Sequence, residues 1–300
     1  MSAPPEICAW APWWTSDQRR RFLHLVESVV QARFGHHAVD EVDGTVAVEK
    51  MDCVLGLSNL AQTCRSSDPD DWRLIIYNHV ARLDDFAPDV LAERLGDYER
   101  LQPDLRVRVV SAQHLCHIDA VRDPLPLGLF ACLSVDLDGA ASPVDRSYFE
   151  DWGVEHAEVM AIALANTLMA EPLAPMEAEE LSGQFRVFSG YSLFVSGHLL
   201  DFARTVPDIG PQGAVVTIPA AHTVMVCPVE TNEQFVDHSA SMMAASYIRY
   251  LAGPNSVSPN ALWWRPGHPL AGFARLDNQS FELAAPEPLR SRLLAGRRGD

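Results

Sequence analysis

The feature that most constrains this chain is a pair of β-branched runs, residues 214–218 (Ala-Val-Val-Thr-Ile) and 223–229 (Thr-Val-Met-Val-Cys-Pro-Val), separated only by Pro219, Ala220, Ala221 and His222. Two such runs around a short turn predict a pair of adjacent strands. They close a longer stretch, residues 184–229, that reads strand, loop, helix, strand, turn, strand. Phe185 and Val187 suit a half-buried strand, Ser189-Gly190 breaks it, and a short helix is expected from Ser192, with Leu193, Phe194, Leu199, Leu200 and Phe202 on one side.

A hairpin followed by a helix is read twice earlier in the chain. Asp43-Gly44 stands between residues 38–42 and 45–50, and Asp138-Gly139 follows the apolar run 129–137. Asp-Gly between such runs is a strong hairpin signal, because both residues accept the positive φ of a type I′ turn. Helical patterns follow: from Leu55, from Trp72 to Leu83, over 154–169, and over 232–251. The result is an α+β expectation: antiparallel β-hairpins, each followed by helices, in one or two sheets, with the recurrence read as an internally repeated hairpin-helix unit. The strand–helix alternation and glycine fingerprint of a dinucleotide fold are missing. Further strands are expected at 105–110, 261–264 and 272–276.

At the amino-terminal side, Thr15 with Gln18 forms a capping-box signature, and Phe22, Leu23, Val26, Val29, Val30 and Phe34 recur at helical spacing until Gly35, predicting a helix over 16–34. Trp10, Trp13 and Trp14 read as a hydrophobic strap laid over the core rather than a ligand platform. The Pro- and acid-rich segment 171–183 is the expected linker between an N-terminal α+β region (1–170) and a C-terminal one (184–285), and residues 286–300 form a basic tail expected to fray.

Charge limits the partners. The formal net charge is −17, and Lys50 is the only lysine. Nucleic acid and anionic membranes both need a basic face, so neither is expected as a partner. No apolar run approaches the ~20 residues of a membrane helix, and the first residues carry neither a basic nor an apolar leader region, so a cytoplasmic protein is expected. The six cysteines (Cys8, Cys53, Cys64, Cys116, Cys132, Cys227) form no Cys-x-x-Cys pair and read as small buried hydrophobes.

No motif carries catalysis. His114-x-x-His117 with Cys116 and Asp119 approaches metal-ligand spacing but lacks a further ligand, so no metal or other cofactor is expected. Asp237-His238-Ser239 holds triad residue types, yet consecutive residues cannot face one another. Gly190-Tyr191-Ser192 and Ser196-Gly197-His198 lack the second glycine of a nucleophile elbow, and Ser192 reads first as a helix cap. Asn59 and Asn166 sit in apolar helical surroundings, where a buried amide needs partners; each is expected to tie its helix to a hairpin edge.

Three sets of segments together resemble the bacterial YtpQ-like family, a domain of unknown function: Leu57-Ser58-Asn59-Leu60; Val135-Asp136-Leu137 with Trp152-Gly153-Val154 and Ala163-Leu164-Ala165-Asn166-Thr167-Leu168; and Gly190-Tyr191-Ser192 through Ser196 to Val215 and Pro219. The resemblance spans most of residues 50–230. The sequence departs from the family pattern at Val195-Ser196 and at Ala220-Ala221-His222. The resemblance implies a fold and a cytoplasmic bacterial setting, and no activity.

Two functional expectations result. The first is a non-enzymatic protein-interaction or chaperone-like module that holds a protein partner on a sheet face or edge. The second is an enzyme or small-molecule binder whose cleft draws on Tyr191, Ser192, Ser196, His198 and His222. A pocket holding two or more of those side chains favours the second; their burial and satisfaction, with an apolar patch elsewhere, favours the first.

Overall fold

The computed structural model describes residues 10–11, 13–51, 53–83, 88–115, 118–137, 140–170, 173–175, 185–206, 208–229, 234–277 and 280–287. The chain divides into two units, Met1–Arg94 with Ala252–Pro254, and Leu95–Leu251 with Asn255–Asp300. The expected boundary at 171–183 falls within the second unit. Most of it lies outside the described residues, and its Ala174–Pro175 is a short strand.

In the first unit, α1 (Ser16–Phe34) starts at the expected capping box and stops at Gly35, whose φ is +80°. Its buried residues are the six that the sequence spacing selects. β1 (His37–Asp40) and β2 (Thr45–Val48) form the first hairpin, with Asp40 opposite Thr45. β3 (Cys53–Gly56) joins β2 to complete a three-stranded sheet. Residues 53–56 are thus a strand, and the helix expected from Leu55 begins three residues later as α2 (Ser58–Arg65). Next come α3 (Trp72–Ala81) and α4 (Pro88–Leu95). Trp10 and Trp14 are buried against Phe22, with ring centroids 6.1 and 4.9 Å away, and Trp14 meets Trp72 at 5.1 Å. The aromatic strap is therefore part of the core, as tilted ring pairs at this distance favour.

The second unit opens with α5 (Tyr98–Leu101) and then builds a four-stranded sheet: β4 (Leu105–Ser111), β5 (Arg122–Leu125), β6 (Leu129–Asp136) and β7 (Ala141–Pro143). β6 pairs antiparallel with β4, β5 and β7. The β6–β7 pairing is the second expected hairpin; its Asp138-Gly139 turn lies outside the described residues. α6 (Arg146–Trp152) and α7 (His156–Ala170) follow.

A seven-stranded sheet occupies the rest. It contains β8 (Ala174–Pro175), β9 (Arg186–Ser189), then, after the helix α8 (Phe202–Thr205), the hairpin β10 (Ala214–Ala220) and β11 (Thr223–Pro228). The long helix α9 (Gln234–Ala252) separates these from β12 (Ala261–Trp264), β13 (Ala271–Asp277) and β14 (Ser280–Leu283). The order is β14-β13-β12-β10-β11-β9-β8. The two β-branched runs are central, and β10 is buried along its whole length. Val216, Ile218, Val224 and Val226 face one cluster with Leu199, Phe202 and Trp264; Val215, Met225 and Trp263 face another with Met242 and Phe273. Apolar clusters therefore cover both faces of this sheet.

The fold is α+β with antiparallel sheets, and the described residues form three sheets rather than one or two. The sheets differ in strand number and order, so the recurrence of hairpin then helix is one of local order and is not shown to be a repeat. Among the described residues no helix is long and apolar enough to cross a membrane. Cys8, Cys116, His117 and the tail beyond residue 287 lie outside the described residues. Cys64, Cys132 and Cys227 are buried free thiols.

Candidate functional site

The segment expected as a helix from Ser192 is wound more tightly. Residues 191–194 turn, Val195–Asp201 is 3-10 helical, and α8 follows. Gly197 gives the reason: a Cβ there would overlap the backbone carbonyl oxygen of Val107, so the segment lies directly against β4.

That approach fixes the role of Ser196. Its side chain is fully buried (0 % exposed), its hydroxyl accepts from the Val109 N–H at 3.0 Å, and it donates to the Val109 carbonyl at 3.3 Å. Two residues back along the strand, the Thr167 hydroxyl on α7 accepts from the Val107 N–H at 2.9 Å. Asn166 donates through Nδ2 to the carbonyls of Gln102 (2.9 Å) and Leu105 (3.1 Å). Leu105, Val107 and Val109 are alternate residues, so their backbone groups share one direction along β4. Side chains from α7 and the 3-10 segment thus satisfy an edge that would otherwise be left without a strand partner. Asn166 does tie its helix to a strand edge, as expected.

The other candidates separate. His198 is 3 % exposed, with Nδ1 3.2 Å from the Thr205 hydroxyl. Ser192 accepts from the Phe194 N–H at 3.2 Å, closing a turn rather than capping an α-helix. Tyr191 is fully exposed. His222 lies in the β10–β11 turn, and its carbonyl accepts from the Gly190 N–H at 3.2 Å; next to it the Ala221 carbonyl accepts from Ser196 N–H at 2.9 Å. Main-chain bonds therefore bring Tyr191, Ser192 and His222 to one neighbourhood, while Ser196 and His198 turn inward. The five do not converge on one cavity wall.

Elsewhere, a groove of about 490 Å³ runs beside α1, lined by Asp17, Arg20, Arg21, Leu23, His24 and Glu27. Arg20 and Arg21 already pair with Asp17 and Asp70, each at 3.3 Å on exposed side chains, which makes this a solvated charged face. Among the described residues no group of three His, Cys, Asp or Glu side chains is placed to hold a metal ion.

α9 has a different character. Phe235, Ser239, Met242, Met243 and Ser246 are buried, while Asp237, Ala240, Ser241, Ala244, Ile248 and Leu251 are exposed, Ile248 by 65 % and Leu251 by 50 %. Positions 237, 241, 244, 248 and 251 alternate spacings of four and three, which places them on one stripe. Its only ionisable member is Asp237. The helical pattern over 232–251 does not by itself distinguish this face, since Phe235 and Met242 are buried while Ile248 and Leu251 are exposed.

The chain matches no protein-family model, no curated protein and no solved structure.

Proposed function

We propose that this protein is a non-enzymatic protein-interaction module of the cytoplasm, and that the exposed stripe of α9 receives an amphipathic helix with a basic rim on a partner protein. The observation that carries the reading is the outward pair Ile248 and Leu251, one turn apart and continued by Ala244 and Ser241. Large aliphatic side chains on a regular helical stripe suit helix-to-helix packing, and small residues between them let a second backbone approach. The net charge of −17 favours a basic partner over nucleic acid. The burial of Ser196 and His198 supports this reading over a cleft at residues 191–198. Membership in the YtpQ-like family belongs to the same proposal.

Native purification followed by mass spectrometry tests it. A stoichiometric protein retained by the wild type and lost from Ile248→Glu/Leu251→Glu supports the proposal. Retention of a small molecule that is lost on Tyr191→Ala/His222→Ala, with no protein dependent on α9, contradicts it.

A further inference from the structure

The four-stranded sheet has a second face that none of the preceding roles uses. Across it, Arg108 on β4 stands opposite Cys132 on β6, and Cys132 stands opposite Arg122 on β5. Residues directly opposed on antiparallel strands project to the same side, so the three side chains form a single row with the cysteine in the middle. The Ser134 hydroxyl reaches the Cys132 sulfur at 3.9 Å, and the Arg122 guanidinium lies 4.7 Å from the centre of the Phe130 ring.

Arg108 is the anomaly. It is only 7 % exposed, its Nε has no hydrogen-bond partner, and no ion pair neutralises it among the described residues. The carboxylates on or just before the strands of this sheet pair elsewhere: Asp136 lies 3.9 Å from Arg106, Asp119 3.4 Å from Arg146 and Asp123 2.9 Å from His156. A desolvated guanidinium without a counter-charge is unfavourable, and a buried polar group left unpaired requires an explanation. The neighbouring thiol does not supply the charge. Burial pushes the Cys132 pKa up, and the opposing pull of Arg108, Ser134 and Arg122 is smaller, so the sulfur stays protonated at neutral pH. Burial likewise pulls Arg108 below its usual range, as expected for a cation whose partner is missing.

We propose that the cross-strand row Arg108–Cys132–Arg122 is a binding site for a small oxyanion, a phosphate or carboxylate group, gripped by the Arg108 fork and screened on its far side by Arg122. The planar guanidinium matches two oxygens of such a group, and partial burial strengthens the contact. The site is independent of the α9 stripe.

Thermal unfolding and titration calorimetry with inorganic phosphate, with acetate, and with sodium chloride at matched ionic strength test the assignment. The wild type should show saturable stabilisation by phosphate or by acetate beyond the chloride control; the anion that acts identifies the group. Arg108→Met should abolish the saturable part. Arg108→Lys, which keeps charge but loses the fork, and Arg122→Gln should each weaken binding by roughly tenfold or more. The proposal is overturned if neither anion exceeds chloride, or if binding survives in Arg108→Met. Should Arg108→Met fail to fold, unchanged affinity in both Arg108→Lys and Arg122→Gln overturns it instead.

Discussion

The Ser196 hydroxyl holds both backbone groups of Val109, accepting from its N–H at 3.0 Å and donating to its carbonyl at 3.3 Å. One side chain does for this residue what an adjacent strand does elsewhere in the sheet. Thr167 takes the Val107 N–H at 2.9 Å and gives its own hydrogen to the Ala163 carbonyl of its helix at 2.8 Å.

Removing the hydroxyl leaves a buried N–H unpaired, which costs about 1–3 kcal/mol. Ser196→Ala should therefore destabilise the protein by about 2 kcal/mol in urea unfolding, and amide exchange at Val109 should accelerate. A surface role for Ser196 would leave both unchanged.

Gly44 is constrained twice. Its φ is +63°, and a Cβ would overlap the Trp10 ring. Gly153 has the same φ of +63°, with ψ of +27°, but open space around it. Gly153→Ala should cost about 1 kcal/mol for the left-handed backbone alone. Gly44→Ala should cost distinctly more and shift tryptophan emission; equal costs would show that the Trp10 contact is unimportant.

Thr217 lies in the middle of β10, fully buried, and its hydroxyl has no partner. Thr217→Val removes that group at nearly constant shape. The variant should be more stable by about 1 kcal/mol in the same unfolding assay. A loss of stability would show that the hydroxyl is satisfied.

Burial pushes the Cys64 thiol up from 9.0 to about 12. Between those values the unfolded chain releases a proton that the folded chain keeps, so stability is full below pH 9 and falls as pH rises toward 12. Cys64→Ala should flatten this alkaline decline, and native Cys64 should resist iodoacetamide at pH 8 while reacting once unfolded.

Local patterns were legible where one element decides its own form. The spacing from Phe22 to Phe34 and the Thr15–Gln18 box gave α1, and the β-branched runs gave β10 and β11. Long-range roles were not. The partner of Ser196 is 87 residues away, and nothing in a Ser-Gly-His string specifies whether the hydroxyl faces water or a strand. The tight 3-10 winding was hidden for the same reason, since it answers to the approach of Gly197 to Val107. In β4, Arg106 and Arg108 alternate with valines as on a solvated face, yet Arg108 is buried. Nor does the apolar spacing over 232–251 say which residues meet the sheet: Phe235 and Met242 fill the space over it, and Ile248 and Leu251 face outward.

The account turns on whether α9, rather than the loop at 191–198, meets a partner. Photo-crosslinking in the native host from residue 248, with residue 191 as a second position, measures this directly. The account predicts a discrete protein adduct from 248, mapped to a basic amphipathic helix and absent from 191; an adduct from 191 alone, or none from 248, contradicts it.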